Sequence, residues 1–303
     1  MDKSVLRPRQ IPSAAYRYAE VDGHRIFYRE AGPADGPTIF MLHGFPSSSF
    51  MFRDLIPALA DKYHVIAPDM LGYGFSDTPS HTDYTYTFDN LARTMLAFTK
   101  VLGIGRHVLY LHDYGATVGF RMAMQQPEKV TAIVSQNGCA YEEGFAAPEW
   151  EWALSAYREK SHEAREIFRK TLTAEFTKYQ YCEGVADSMR IPPETYTLDY
   201  ALMQRPGNDE IQIDLLIDFG SELDAYPRYQ AYFRQYQPPL LAVWGANDPW
   251  FHKSAAEAFK RDLPDAEIRL FESGHFALES HPIEIADETR RFLDRLSADN
   301  KLI

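Results

Sequence analysis

The amino-acid sequence predicts an α/β protein, in which a mostly parallel sheet carries helices on both faces and is interrupted by a helical insertion. Short apolar runs alternate with amphipathic segments, and the connections between them are too long for hairpins. The alternation stops near Asn137 and resumes after Pro238-Pro239. The chain has 303 residues, which at roughly 150 residues per domain fits about two domains or one large one.

The first quarter of the chain is predicted to form strands. Residues 16–29 have the pattern of a hairpin, because an Asp22-Gly23 turn separates two segments of strand character. Continuous apolar runs at residues 38–42 and 64–68 are typical of strands that are buried on both faces. Between these runs, residues 47–49 are serines that suit a helix N-cap, and apolar residues follow them at helical spacing.

The alternation then continues to the end of the chain. Before the insertion, the pattern predicts a helix over 88–102, a strand over 107–111, a helix that contains Met122 and Met124, and a strand over 130–134. After the insertion, it predicts strands over 240–244 and 266–271 and helices over 254–263 and 283–296. The simplest organisation is a core domain of residues 1–137 and 222–303, with a helical cap domain of residues 138–221.

Charge and composition narrow the classes of partner. Lys and Arg number 31 and Asp and Glu number 43, so the formal net charge is −12. Because phosphate repels an acidic protein, we expect neither nucleic acid nor a membrane as a partner. No apolar run approaches the ~20 residues of a membrane span, and no segment resembles a signal peptide. Cys139 and Cys182 are expected to stay unpaired in a reducing compartment, which predicts a cytoplasmic location.

Residues suited to catalysis follow several of the predicted strands. Ligands of open α/β sheets bind beyond the carboxyl ends of the strands. Asp113 lies at a sharp junction between a strand and a helix, where Gly115 allows a close approach. This is the pattern of a nucleophile elbow, with aspartate in place of serine. A helix N-cap is the alternative for Asp113 alone, but Asp248 and His275 follow two later strands and would supply the other two groups of a catalytic triad.

The order Asp113, Asp248, His275 resembles the nucleophile, acid and base of the α/β-hydrolase superfamily, specifically its aspartate-nucleophile branch of epoxide hydrolases and haloalkane dehalogenases. The motifs His43-Gly44-Phe45-Pro46 and His112-Asp113-Tyr114-Gly115 belong to the same resemblance, which covers essentially the whole chain. It implies an α/β-hydrolase fold with an eight-stranded sheet. It also implies that Asp113 is the nucleophile, that His275 is the general base and that Asp248 is the acid partner of the histidine.

An aspartate nucleophile restricts the reaction. Attack on a carboxylic ester would give an anhydride, whereas attack on an sp³ carbon that bears a strained oxygen or a halide gives an ordinary ester. Water activated by His275 would then cleave this ester, and the backbone N–H groups of Phe45 and Tyr114 would stabilise the oxyanion. We expect a small apolar organic substrate, water and no cofactor. The histidines form neither H-x-H nor H-E-x-x-H, so we expect no metal site.

The leaving group is predicted to be an epoxide oxygen rather than a halide. Haloalkane dehalogenases usually place a Trp just after the nucleophile and an Asn inside the H-G-x-P loop, as donors to the halide. Those positions hold Tyr114 and Phe45, whose side chains have no N–H group. Trp150 or Trp152 in the insertion could supply one donor, although packing is the simpler role for either residue.

An opening epoxide needs an acid, and the epoxide hydrolases that this chain resembles use tyrosines of the cap. Tyr226 best matches the second of these tyrosines, and Tyr157 is chosen as the first from its distance past Asp113. The expected function is therefore the opening of an epoxide to a vicinal diol through an alkyl ester on Asp113. A haloalkane dehalogenase with the same nucleophile and a small-molecule receptor on a hydrolase scaffold stay open as alternatives. The sequence is compatible with a homodimer.

Overall fold

The sheet at the centre of the protein has eight strands. The computed structural model describes residues 14–145, 150–159 and 161–302. Its strands are β1 (Ala15–Val21), β2 (His24–Ala31), β3 (Thr38–Leu42), β4 (His64–Pro68), β5 (His107–His112), β6 (Val130–Gln136), β7 (Leu240–Gly245) and β8 (Glu267–Phe271). Their order across the sheet is β1-β2-β4-β3-β5-β6-β7-β8. Strand β2 pairs antiparallel with β1 and β4, and every other pair is parallel, which confirms the predicted sheet.

Helices connect the strands and also fill the insertion. They are α1 (Leu55–Leu59), α2 (Phe88–Val101), α3 (Tyr114–Gln125), α4 (Glu151–Glu159), α5 (His162–Arg169), α6 (Ala174–Cys182), α7 (Pro193–Met203), α8 (Asn208–Phe219), α9 (Glu222–Tyr236), α10 (Lys253–Ala258), α11 (Ala277–Ser280) and α12 (Pro282–Ala298). Helices α4 to α9 lie between β6 and β7 in the chain, where the sequence predicts the insertion. The division into a core of residues 1–137 and 222–303 and a cap of residues 138–221 stays a prediction.

Two apolar layers cover the two faces of the sheet. Successive side chains of a strand point to opposite faces. Accordingly, Phe40 and Leu42 of β3 pack into the layer that includes residues of α2 and α3, whereas Ile39 and Met41 pack into the layer that includes residues of α1 and α12. All the residues of β5 are buried, as expected for a strand covered on both faces.

Several elements agree closely with their predicted limits. The hairpin turns at Asp22 and Gly23, which both have positive φ values, and Val21 pairs with His24 across it. This backbone conformation favours the Asp-Gly pair. The helix predicted over 254–263 is shorter, because α10 ends at Ala258 and a 3₁₀ turn follows. Within the described part of the chain, no helix combines the length and the apolar character that a membrane crossing requires.

Candidate active site

Asp113 occupies a sharp turn between β5 and α3. Its backbone has φ 50° and ψ −119°, in the region that favours glycine. A non-glycine residue in such a conformation costs about 1–3 kcal/mol, and it raises the side chain above the end of the strand. Gly115 permits the turn, because a Cβ atom there would lie 2.1 Å from the backbone oxygen of Leu42. The sequence therefore brings α3 against β3 and presents the carboxylate of Asp113 at the edge of the sheet.

The structure brings the three predicted catalytic side chains together. The Nδ1 atom of His275 lies 2.8 Å from Oδ2 of Asp248. On the other side of the ring, its Nε2 atom lies 3.6 Å from Oδ2 of Asp113. All three side chains are buried. Parallel strands place their carboxyl ends at the same edge, which explains how residues that are far apart in the chain meet here.

Asp248 is held by several further hydrogen bonds. Its Oδ1 atom accepts from the backbone N–H groups of Trp250 at 2.8 Å and Phe251 at 3.1 Å. Its Oδ2 atom accepts from the side-chain amide of Asn137 at 2.7 Å, and the Oδ1 atom of Asn137 accepts from the backbone N–H of Gly245. Asn137 is a positioning residue that the sequence analysis missed, and its position directly after β6 was the available signal.

Two backbone donors point at the carboxylate of Asp113. The N–H group of Phe45 donates to Oδ1 of Asp113 at 2.6 Å, and the N–H group of Tyr114 also donates to this carboxylate. Gly44 makes the approach possible, since a Cβ atom there would lie 2.2 Å from Oδ1 of Asp113. Negative charge on this carboxylate would therefore face both of the donors that the sequence predicts for an oxyanion hole.

The charges of the three groups stabilise one another. Burial alone raises the pKa of Asp113, but the nearby imidazole of His275 and its charge outweigh this effect, so the pKa lies below its usual value. Burial alone lowers the pKa of His275, but the carboxylates of Asp248 and Asp113 outweigh it and raise the pKa. Nearby His112 stays neutral, because burial lowers its pKa to about 3. The resting site therefore holds an imidazolium between two carboxylates.

A cavity of about 60 Å³ adjoins Asp113 and His275. Most of its lining is apolar, and the rings around it include Phe145, Trp150, Phe176, Phe219, Trp250 and Phe251. Among the described residues that line the cavity, none is Lys or Arg. The imidazolium of His275 is already paired with two carboxylates, so an anionic substrate would lose its hydration here without gaining an unpaired cationic partner, which favours a small uncharged molecule.

The two cap tyrosines proposed as ring-opening acids do not line this cavity. Tyr226 is buried, with its ring against Phe145 and Tyr229. The ring of Tyr157 packs against Gly220, since a Cβ atom there would overlap it. Spacing along the chain does not determine which face of a helix a tyrosine occupies, and this is the physical reason for the difference. The hydroxyl groups of Tyr157 and Tyr226 are therefore not placed to contact a molecule that lies beside Asp113.

Of the two tryptophans in the insertion that could donate to a halide, the structure describes the side chain of Trp150 only. Trp150 lines the cavity, but its indole N–H donates to the backbone oxygen of Trp250. The side chain of Trp152 lies outside the described residues. Phe176 and Gln180 of α6 also line the cavity, and sequence reasoning missed both. Their spacing of four residues on one helix face was the only available signal.

The comparisons with known proteins agree with this fold. Residues 37–282 match the family model described as alpha/beta hydrolase fold. "Uncharacterized hydrolase YNR064C" of Saccharomyces cerevisiae is 42% identical over 88% of this chain and 92% of that protein. "Cis-3-alkyl-4-alkyloxetan-2-one decarboxylase" of Xanthomonas campestris is 29% identical over 90% of this chain and 93% of its own. "Epoxide hydrolase 3" of Mus musculus is 27% identical over 90% of this chain and 75% of its own.

Proposed function

The chain belongs to the α/β-hydrolase family, and from this premise we propose that it opens an epoxide to a vicinal diol through a covalent ester on Asp113. One observation carries the proposal: the carboxylate at the elbow has two backbone donors on one side and the imidazole of His275 at 3.6 Å on the other. This arrangement suits a carboxylate that forms an ester and is then regenerated by water.

The first half of the reaction forms the ester. The Oδ2 atom of Asp113 attacks a ring carbon, the C–O bond of the epoxide breaks, and its electron pair stays on the ring oxygen. This oxygen takes a proton from water, and the imidazolium of His275 neutralises the hydroxide that remains. Esterification removes one of the two negative charges that raise the pKa of His275, so the ring is neutral at the end of this half.

The second half cleaves the ester at the Cγ atom of Asp113. Neutral His275 accepts a proton from water through Nε2 while the water oxygen bonds to Cγ, and Asp248 stabilises the imidazolium. The backbone N–H groups of Phe45 and Tyr114 stabilise the negative charge on Oδ1. The Cγ–Oδ2 bond then breaks, and the diol leaves with a proton from the imidazolium. The new carboxyl group of Asp113 returns a proton to His275, which restores the ion pair.

Three features support an epoxide as the substrate. The side chains of Phe45 and Tyr114, beside the nucleophile, offer no N–H group to a halide. The described lining of the cavity has no Lys or Arg, and the imidazolium of His275 is already paired with two carboxylates, which disfavours an anionic substrate. A relative that aligns with 90% of the chain is named an epoxide hydrolase. The proposed reactants are thus a small apolar epoxide and water, and no cofactor takes part.

We also propose a cytoplasmic location. Cys139 and Cys182 are both free thiols in the structure, which is the usual state of cysteines in a reducing compartment. Fractionation of cells that express the tagged protein tests this location, and recovery in an oxidising compartment would contradict it.

Trapping of the ester tests the proposed reaction. A His275→Gln variant should form the ester but cannot activate water, so mass spectrometry should find the mass of 1,2-epoxypropane added to the peptide that contains Asp113. The matched control is the double variant Asp113→Ala/His275→Gln, which should gain no mass. Turnover without an adduct would overturn the proposal. Bromide release from 1-bromobutane with no diol from any epoxide would assign the dehalogenase activity instead, and binding without turnover would assign a receptor.

A further inference from the structure

Two N–H groups at the cavity are buried without a hydrogen-bond partner. Gln180 and Trp250 both line the cavity beside Asp113. The Nε2 atom of Gln180 and the Nε1 atom of Trp250 have no partner among the described residues. A buried donor without an acceptor costs free energy, so its retention at a cavity points to an acceptor that arrives with the ligand.

Helix α6 places Gln180 in the wall of the cavity. Thr173 caps α6 by accepting from the backbone N–H of Phe176, and one turn later Gln180 lies on the same face of the helix. Gln180 is only 6% exposed, so water cannot easily satisfy its amide. Its neighbour Phe176 packs against Trp250, with ring centroids 5.5 Å apart. Helix α6, which carries Gln180, therefore packs against Trp250 at the wall of the cavity.

A chain of two hydrogen bonds links the backbone of Trp250 to His275 through Asp248. The backbone N–H of Trp250 donates to Oδ1 of Asp248, whose Oδ2 atom contacts His275. The ring of Trp150 lies against that of Trp250, with centroids 6.1 Å apart. The indole N–H of Trp150 is already paired with a backbone oxygen, whereas that of Trp250 is not. Two tryptophans in one cavity therefore differ in whether the N–H group is available.

We propose that Gln180 and Trp250 donate hydrogen bonds to the ring oxygen of the epoxide and stabilise the negative charge that develops there as the ring opens. This inference rests on the proposed function and assigns the role that the two cap tyrosines leave vacant. An amide and an indole donate hydrogen bonds without giving up their protons, so the alkoxide still takes its proton from water. Donors fixed before the reaction stabilise developing charge without reorganisation.

The test measures the rate of ester formation on Asp113 in the His275→Gln background. Gln180→Met and Trp250→Phe remove one N–H group each and keep much of the side-chain volume. Each should slow ester formation from 1,2-epoxypropane about tenfold to hundredfold, as expected for one hydrogen bond to a developing charge. Gln212→Met and Trp244→Phe make the same changes at residues that do not line the cavity and whose N–H groups are already paired, so they control for the change of side chain and should have a much smaller effect.

A second substrate separates a catalytic role from a structural one. Epifluorohydrin has nearly the size of 1,2-epoxypropane, but its fluorine makes the leaving alkoxide less basic. The loss of rate in Gln180→Met and Trp250→Phe should therefore shrink several-fold with epifluorohydrin. Equal losses with both epoxides, or no loss in either variant, would overturn the inference while ester formation in the parent still supports the proposed function. An absence of ester in the His275→Gln parent would overturn both.

Discussion

The Nε2 atom of His275 lies 3.6 Å from the Oδ2 atom of Asp113, which is longer than a hydrogen bond. At this distance the two charges still attract each other, but the carboxylate oxygen keeps a lone pair that can attack carbon. The separation leaves little room for a water molecule in the resting state. In the proposed reaction, the water that cleaves the ester takes its place beside the imidazole only after the substrate has entered and the ester has formed.

The ion pair predicts how stability depends on pH. The pKa of His275 is higher in the folded protein than its usual ~6.5, so the folded state keeps a proton that the unfolded state releases. This stabilisation is complete below pH ~6.5 and is lost as the pH rises through the higher pKa. The free energy of unfolding in urea should fall over this range, by up to about 1.4 kcal/mol per pH unit. The free energy of unfolding of Asp248→Asn should fall less steeply with pH. Equal slopes in this variant and in the parent would contradict the prediction.

Gly44→Ala should inactivate the protein. A Cβ atom at this position would lie 2.2 Å from Oδ1 of Asp113, so either the carboxylate or the loop with the N–H of Phe45 must move. We expect diol formation to fall by about a hundredfold or more, which is the scale of losing one oxyanion donor. Gly105→Ala is the matched control, since nothing lies within 4 Å of its added Cβ atom. Activity in Gly44→Ala close to that of Gly105→Ala would contradict the described geometry.

Gln180→Met should stabilise the protein although it slows the reaction. The substitution removes a buried amide donor without a partner and replaces it with an apolar side chain of similar length. We expect the free energy of unfolding in urea to rise by about 1 kcal/mol. Gln212→Met is the comparison, because Nε2 of Gln212 donates to Asn208 and Gly72, and it should destabilise the protein. Destabilisation by Gln180→Met would show that its amide has a partner in the free protein.

A buried carboxyl group between α7 and the loop after β3 gives a second dependence on pH. Burial raises the pKa of Asp199 to about 8, although hydrogen bonds from Tyr181 and Ser48 oppose the rise. The folded state therefore keeps a proton that the unfolded state releases above pH ~4, and this stabilisation is lost as the pH rises to about 8. Asp199→Asn does not titrate.

The Asp199→Asn variant should therefore gain stability relative to the parent as the pH rises. In urea unfolding, we expect an advantage of about 1 kcal/mol or more at pH 8 that shrinks towards pH 5. Asp299→Asn serves as the control, because this side chain is exposed at the end of α12 and should change little at either pH. If the free energies of unfolding of Asp199→Asn and the parent differ by the same amount at every pH, Asp199 is not a buried neutral carboxyl group.

Position along the chain was enough to bring Asp113, Asp248 and His275 to one edge. Each follows an apolar run that predicts a buried strand, and parallel strands end at the same edge whatever their order in the sheet. The turn between β1 and β2 was likewise predictable, because Asp22 and Gly23 are residues that favour the positive φ values of a tight hairpin turn. Such local rules depend on few neighbours, which is why they are readable in a single sequence.

The lining of the cavity depends on packing that the sequence does not reveal. Tyr226 and Gln180 both lie on helices between β6 and β7, and one packs into the core while the other reaches the cavity. The rotation of a helix is set by the side chains that interlock with its neighbours. An abundance of tyrosines therefore favoured an assignment that the packing does not support, whereas one glutamine had no pattern to distinguish it.

The pair formed by Trp150 and Trp250 gives the protein an optical probe of its own. Tryptophan emission depends on the polarity of the surroundings, and these two indoles lie against each other on the wall of the cavity. Trp244 is fully buried in the sheet and does not line the cavity, so its emission should change little when a ligand binds. Binding and release of an apolar ligand can thus be followed by fluorescence in the unlabelled protein, independently of any chemical step.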